Sequence, residues 1–201
     1  MSIAPPAAPA LAAFRAPKRQ RGHLRVAAIL DAASEIFLEK GYGAATMTEI
    51  AARSKTAIGS LYRFFPSKES LAEALMEGYV ARLLEALDRI VEQAEGLTPR
   101  QLAEALVAYR LVLKAQRKVA FTLLESSSGV GEKRERLRLA IQPRLIAILR
   151  KALPKLTEAR VETMAPVVLH MLKAVSEADA ESVPADIADL LTAYFTKDGS
   201  R

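Results

Sequence analysis

The chain has 201 residues, a formal net charge of +6, 51% apolar and 26% charged residues, and neither cysteine nor tryptophan. A disulfide framework and a cysteine-held metal are therefore excluded, and no uncharged apolar run reaches the ~18 residues that a membrane-spanning helix requires. The expected setting is the cytoplasm, with no membrane partner, no metal and no cofactor.

Residues 1–22 are rich in alanine and proline and then basic, and are expected to form a disordered arm. The first thirty residues hold Arg15, Lys18, Arg19, Arg21 and Arg25 and no acid, a pattern suited to lying along phosphates. The start is broken by three prolines and carries no basic residue before Arg15, so it does not read as a secretory signal.

From Leu24 onward the pattern is helical throughout, and the fold class expected is all-α. A first helix over about 25–40 places Ile29, Ala32, Ala33, Ile36 and Phe37 on one face, with Gly41 as a left-handed stop. Thr46 followed by Glu49 is a capping box that opens a short second helix. Ser54, Lys55 and Thr56 make a turn, and a third helix runs from Ala57 to Phe64. Ser67 caps a long fourth helix reaching Ala94, striped by Leu71, Leu75, Tyr79, Leu83, Leu87 and Ile90.

Thr98 and Pro99 then start a helix to about Ala115, and another holds Val119 to Glu125. After the loop "SSSGVGE" come helices over about Glu132–Ala152, Glu158–Ala178 and Pro184–Phe195. Pro143 and Pro166 fall inside these patterns, where each is expected to kink or break its helix at a cost of about 3 kcal/mol.

Three short helices with a three-residue turn between the second and third form a helix-turn-helix layout. Gly59 weakens its own helix but clears its outer face, with small Ala57 and Ser60 beside it. Such a face can enter a major groove, with Tyr62 and Arg63 reaching phosphates and Ile58 touching a thymine methyl. Leu61 and Phe65 face inward, and Phe64 fits either side. Lys68 stands in the first turn of a helix, where a cation is disfavoured, so an anion bound at that end is the expected partner. Thr46 and Thr48 are placed for the same task.

The stretch Ile29 to Leu75, "ILDAASEIFLEKGYGAATMTEIAARSKTAIGSLYRFFPSKESLAEAL", resembles the DNA-binding domain of TetR/AcrR-type transcriptional regulators. By that resemblance Thr46, Thr48, Ser60, Tyr62 and Lys68 match DNA-contacting positions, with Ala57, Ile58, Gly59, Arg63 and Phe64 on or near the same surface. The domains implied are a helix-turn-helix domain over 23–79, with the motif at about 46–65, and a regulatory and dimerisation bundle over 80–201. The resemblance further implies double-stranded DNA, a second copy of the chain and a small-molecule effector as partners. It implies a repressor released from a palindromic operator. Lys55, Ala57 and Ile58 depart from the usual pattern; a non-glycine residue in a left-handed turn costs about 1 kcal/mol, and Thr56 is available to cap the third helix in place of Ala57.

In the second part, Val161, Ala165, Val168, Leu172 and Val175 form one apolar stripe, and Met164, Val167, Met171 and Ala174 a second. The first stripe, with Ile187, Leu191 and Tyr194 of the last helix, is the expected dimer interface in a four-helix arrangement. Tyr109, Phe121, Glu125, Gln142 and His170 are the candidate ligand-pocket residues. Residues 110–155 hold twelve Lys/Arg against three acids, which suits an anionic ligand or a solvated face. Two rival functions are a nonspecific nucleic-acid binder and a helical-bundle enzyme; the latter lacks parts, since two histidines in no ligand spacing offer neither a triad nor a metal site.

Overall fold

The computed structural model describes residues 20–125, 130–177 and 181–199. Most of the expected basic arm lies outside these residues, as do the side chains of Phe121 and Glu125. Among the described residues every regular element is an α-helix: α1 (Gln20–Ala44), α2 (Met47–Arg53), α3 (Ile58–Phe64), α4 (Lys68–Gln93), α5 (Pro99–Val112), α6 (Lys114–Glu125), α7 (Val130–Ala152), α8 (Glu158–Glu177) and α9 (Val183–Gly199). The chain divides into two compact units, Met1–Glu77 and Gly78–Arg201, and the boundary falls inside α4.

In the first unit, α1 packs on α2 and α2 on α3. The core is made by Ile29, Ala33, Ile36 and Phe37 of α1, Ile50 of α2, Leu61 and Phe64 of α3, and by Phe65 and Leu71. Phe64, which fitted either side of its helix, is buried. The α1 pattern is interrupted at Gly41, whose φ of 81° is a conformation glycine adopts without penalty. Thr46 and Glu49 form the reciprocal capping box, with the Glu49 amide donating to Thr46 Oγ1 at 3.3 Å and the Thr46 amide to Glu49 Oε2 at 3.1 Å. Arg53 holds Glu39 through two parallel bonds of 2.8 Å and reaches Glu35 at 3.3 Å, tying α2 to α1.

In the second unit, α5 packs against α8 and α9, α7 against α8, α8 against α9, and α6 touches both α5 and α7. Leu113 leaves helical geometry (φ −96°, ψ 4°), so α5 ends before Ala115 and α6 begins at Lys114, earlier than the expected Val119. Neither proline breaks its helix: α7 continues through Pro143 and α8 through Pro166. Each proline removes one helical hydrogen bond, and packing on both flanks keeps the remaining ones.

The expected dimer stripe is corrected by burial. Val161, Ala165, Val168, Leu172 and Val175 are all buried within the chain, as are Ile187 and Leu191; Tyr194 alone is half-exposed. Helical periodicity shows that α8 has two apolar sides but carries no information about which side its own bundle covers. Neighbours α5, α7 and α9 take the stripe with the larger, β-branched share together with Met164 of the second, whose Val167 is exposed and whose Met171 and Ala174 are half-buried.

Candidate nucleic-acid interface

The turn before α3 is built as its sequence dictates. Ser54 ends α2 with its amide donating to the Ile50 carbonyl at 2.9 Å, and Lys55 takes a left-handed conformation with φ 51°. Thr56 does not cap α3: it is buried, its amide donates to Ala51 at 2.9 Å, and its hydroxyl donates back to the Ser54 carbonyl at 3.3 Å. Ala57 is the cap residue and supplies no side-chain bond. The first amides of α3 therefore keep unused donors at an exposed helix end.

Burial of Leu61, Phe64 and Phe65 fixes the rotation of α3 and decides what it shows to solvent. Ala57, Ile58, Gly59, Tyr62 and Arg63 are exposed and Ser60 is half-buried. Ile58 and Tyr62 are 42% and 48% exposed, large for an isoleucine and a tyrosine that have an adjacent core available. Tyr62 makes no hydrogen bond among the described residues, and Arg63 lies 5.4 Å from the Phe64 ring centre with its guanidinium in solvent.

Gly59 discriminates between two reasons for a helical glycine. A Cβ built on it meets nothing within 4 Å, and its φ is not positive. Neither tight internal packing nor an unusual backbone explains it, so the glycine costs stability without any benefit inside the described fold. Thr46 and Thr48 are exposed beside this face, though the Thr46 hydroxyl is already engaged with Glu49 Oε2 at 2.7 Å.

Lys68 departs from its expected role as a phosphate clamp. Its ammonium crosses to the end of α1 and donates to the carbonyls of Tyr42 (2.8 Å), Gly43 (3.1 Å) and Ala45 (3.0 Å), with Nζ 4.6 Å from the Tyr42 ring centre. An ammonium has three hydrogens, and here three carbonyls accept them. A cation at the start of α4 is unfavourable for α4, but its head sits at the carbonyl end of α1, where orphan acceptors and the helix dipole favour it. The other cations of this unit divide clearly. Arg53 is committed to Glu35 and Glu39 and Lys40 to Glu49, whereas Lys55 and Arg63 on the α3 side form no ion pair among the described residues.

Residues 29–75 match the family model described as bacterial regulatory proteins, tetR family. The chain carries a TetR-family domain. Its relatives include the transcriptional repressor KstR2 of Rhodococcus jostii, 39% identical over 79 residues, covering 39% of this chain and 38% of that repressor. The chain thus spans well under two thirds of the curated relatives it matches. A transcriptional regulator from Aquifex aeolicus shares the fold over 86% of this chain and 98% of its own, with TM-score 0.62 at 21% identity. The Bacillus subtilis regulator FadR in complex with stearoyl-CoA does so over 83% and 97%, with TM-score 0.58 at 20% identity. All of the exposed α3 residues lie inside the matched TetR segment.

Of the expected pocket residues, the side chains of Phe121 and Glu125 lie outside those described. Tyr109 is buried, whereas Gln142 is half-buried and accepts a 2.8 Å bond from the exposed Arg138, and His170 is exposed with Nδ1 2.7 Å from the Pro166 carbonyl. Sequence reasoning missed Arg110 and Arg117, which are buried. The signal was available: Arg110 stands in register with Leu102 and Leu106 on the buried side of α5.

Proposed function

We propose that the chain is a sequence-specific DNA-binding transcriptional regulator, a repressor that holds a palindromic site as a homodimer and leaves it when a small molecule occupies the second unit. Gly59 carries the reading. A helical glycine with open space around it, flanked by exposed Ile58, Tyr62 and Arg63, is explained by the close approach of an outside surface. A major groove of B-DNA admits a helix whose outer face is small, with flanking side chains on phosphates. The repressor name of the R. jostii relative and the ligand of the B. subtilis neighbour support the direction of control and the effector.

Homodimerisation is supported by what α8 and α9 leave uncovered. Val167 and Leu190 are 42% and 54% exposed, with Met171, Ala174 and Tyr194 half-buried near them in sequence register. Adjacent apolar stripes on two contacting helices are stabilised when a second copy completes a four-helix layer. Two-fold symmetry would then set the two α3 helices on half-sites about 34 Å apart. Enriching random duplex DNA on the protein tests the reading: a palindromic sequence is expected, and a pool that stays random would defeat it.

A further inference from the structure

The second unit contains a buried guanidinium that no carboxylate among the described residues accompanies. Arg110 of α5 is 6% exposed, and its Nε donates to the Leu172 carbonyl of α8 at 3.0 Å. That bond uses one of five N–H donors. Among the described residues no Asp or Glu pairs with it. Arg117 of α6, also buried, has its Nη2 3.1 Å from Glu177 Oε1. Buried charges are normally paired, because taking a cation out of water is costly unless an anion accompanies it.

Two phenols stand at the same place. Tyr109 is 6% exposed, the Arg110 guanidinium carbon lies 5.9 Å from its ring centre, and among the described residues its hydroxyl has no well-formed hydrogen-bond partner. A buried hydroxyl left unsatisfied is uncommon in a folded chain. Tyr79 of α4 is buried, which raises its phenol, and the positive charges of Arg110 and Arg117, with a hydrogen bond from Arg110, oppose that rise. This unit therefore holds a buried positive charge that no described carboxylate balances, beside a buried hydroxyl that lacks a well-formed hydrogen bond.

We propose that this cluster is an anion-recognition site for an effector with an apolar body and a carboxylate or phosphate head, in which Arg110 pairs with the head group and the Tyr109 hydroxyl donates to it. The inference rests on the effector reading above and narrows its chemistry. An incoming anion replaces the missing counter-charge and satisfies the orphan hydroxyl in one step, so differential affinity for the head group is large. The apolar body gains from leaving water.

The test is calorimetric titration of the full chain, without DNA, with octanoate, octyl phosphate and uncharged 1-octanol. At least one anion is expected to bind tenfold or more tightly than octanol, and the better of the two anions identifies the head group. Arg110→Met should reduce that preference to within about twofold, Arg110→Lys should keep part of it, and Tyr109→Phe should weaken the anion several-fold. Should Arg110→Met fail to fold, Tyr109→Phe, which keeps the ring, decides alone. Octanol binding as well as both anions, a preference unchanged in Arg110→Met or Tyr109→Phe, or no saturable anion binding at millimolar concentration would each overturn the proposal. DNA binding by the unliganded protein is a separate readout, so its failure sinks the regulator reading and leaves the anion result intact.

Discussion

Gly59→Ala should make the protein more stable and a poorer DNA binder at once. The added methyl meets nothing within 4 Å, and the residue already has negative φ, so the folded state accepts it without strain. The unfolded chain loses freedom and the helix gains propensity, together worth about 0.5–1 kcal/mol. For a cooperative unit of under a hundred residues this raises the midpoint by about 2–8 °C. On DNA the same methyl stands on the face between Ile58 and Tyr62 and holds the helix away from the groove. An affinity loss of tenfold or more, about 1.4 kcal/mol, is expected. Thermal unfolding and fluorescence anisotropy on an enriched duplex measure the two effects independently. A variant that binds DNA as well as wild type would refute the reasoning that the glycine marks a contact surface.

Lys68→Met should lower unfolding stability by about 1.5–3 kcal/mol, since three carbonyls at the end of α1 lose a charged donor; unchanged stability with weakened DNA binding would restore the phosphate clamp. Glu49 is held at about 2, chiefly by Lys40 and then by Thr46, and a carboxylate depressed in the folded state adds stability that is lost as pH falls through that value. The stability gap between wild type and Glu49→Gln should thus be full above pH ~5 and close toward pH ~2, and a gap independent of pH would contradict the assignment. Tyr109 is raised to about 12 by burial, so its contribution is intact below pH ~10 and fades as pH climbs toward 12; Tyr109→Phe should flatten that alkaline loss in unfolding titrations. Leu172→Ala should cost about 2–5 kcal/mol through a core cavity, whereas Leu190→Glu should convert a dimer to monomers in sedimentation; dimers that survive Leu190→Glu would argue against the α8/α9 face.

Local signals carried most of the fold. The Thr46–Glu49 box, the Thr98 cap with Pro99, and the stop at Gly41 are all governed by backbone chemistry within a few residues, and each appears where the sequence places it. The α3 surface was legible for the same reason, because the inward register of Leu61 and Phe65 fixes what points outward. Nonlocal choices were not legible. Lys68 looked misplaced because its partners lie more than twenty residues away at the end of another helix. The two stripes of α8 were equivalent until α5, α7 and α9 covered all of one and only Met164 of the other completely. Arg110 was overlooked because a charged residue in a basic stretch reads as solvated, although its register with Leu102 and Leu106 points inward.

The most direct test of the account is the salt-dependent affinity of wild type and Tyr62→Ala for an enriched duplex and for a shuffled duplex of the same length. Wild type is expected to prefer the enriched sequence by 10³-fold or more at physiological salt, with affinity falling steeply as salt rises. Tyr62→Ala should lose much of its affinity while retaining the helical fold. Equal affinity of wild type for both duplexes would contradict the claim that this surface reads DNA sequence.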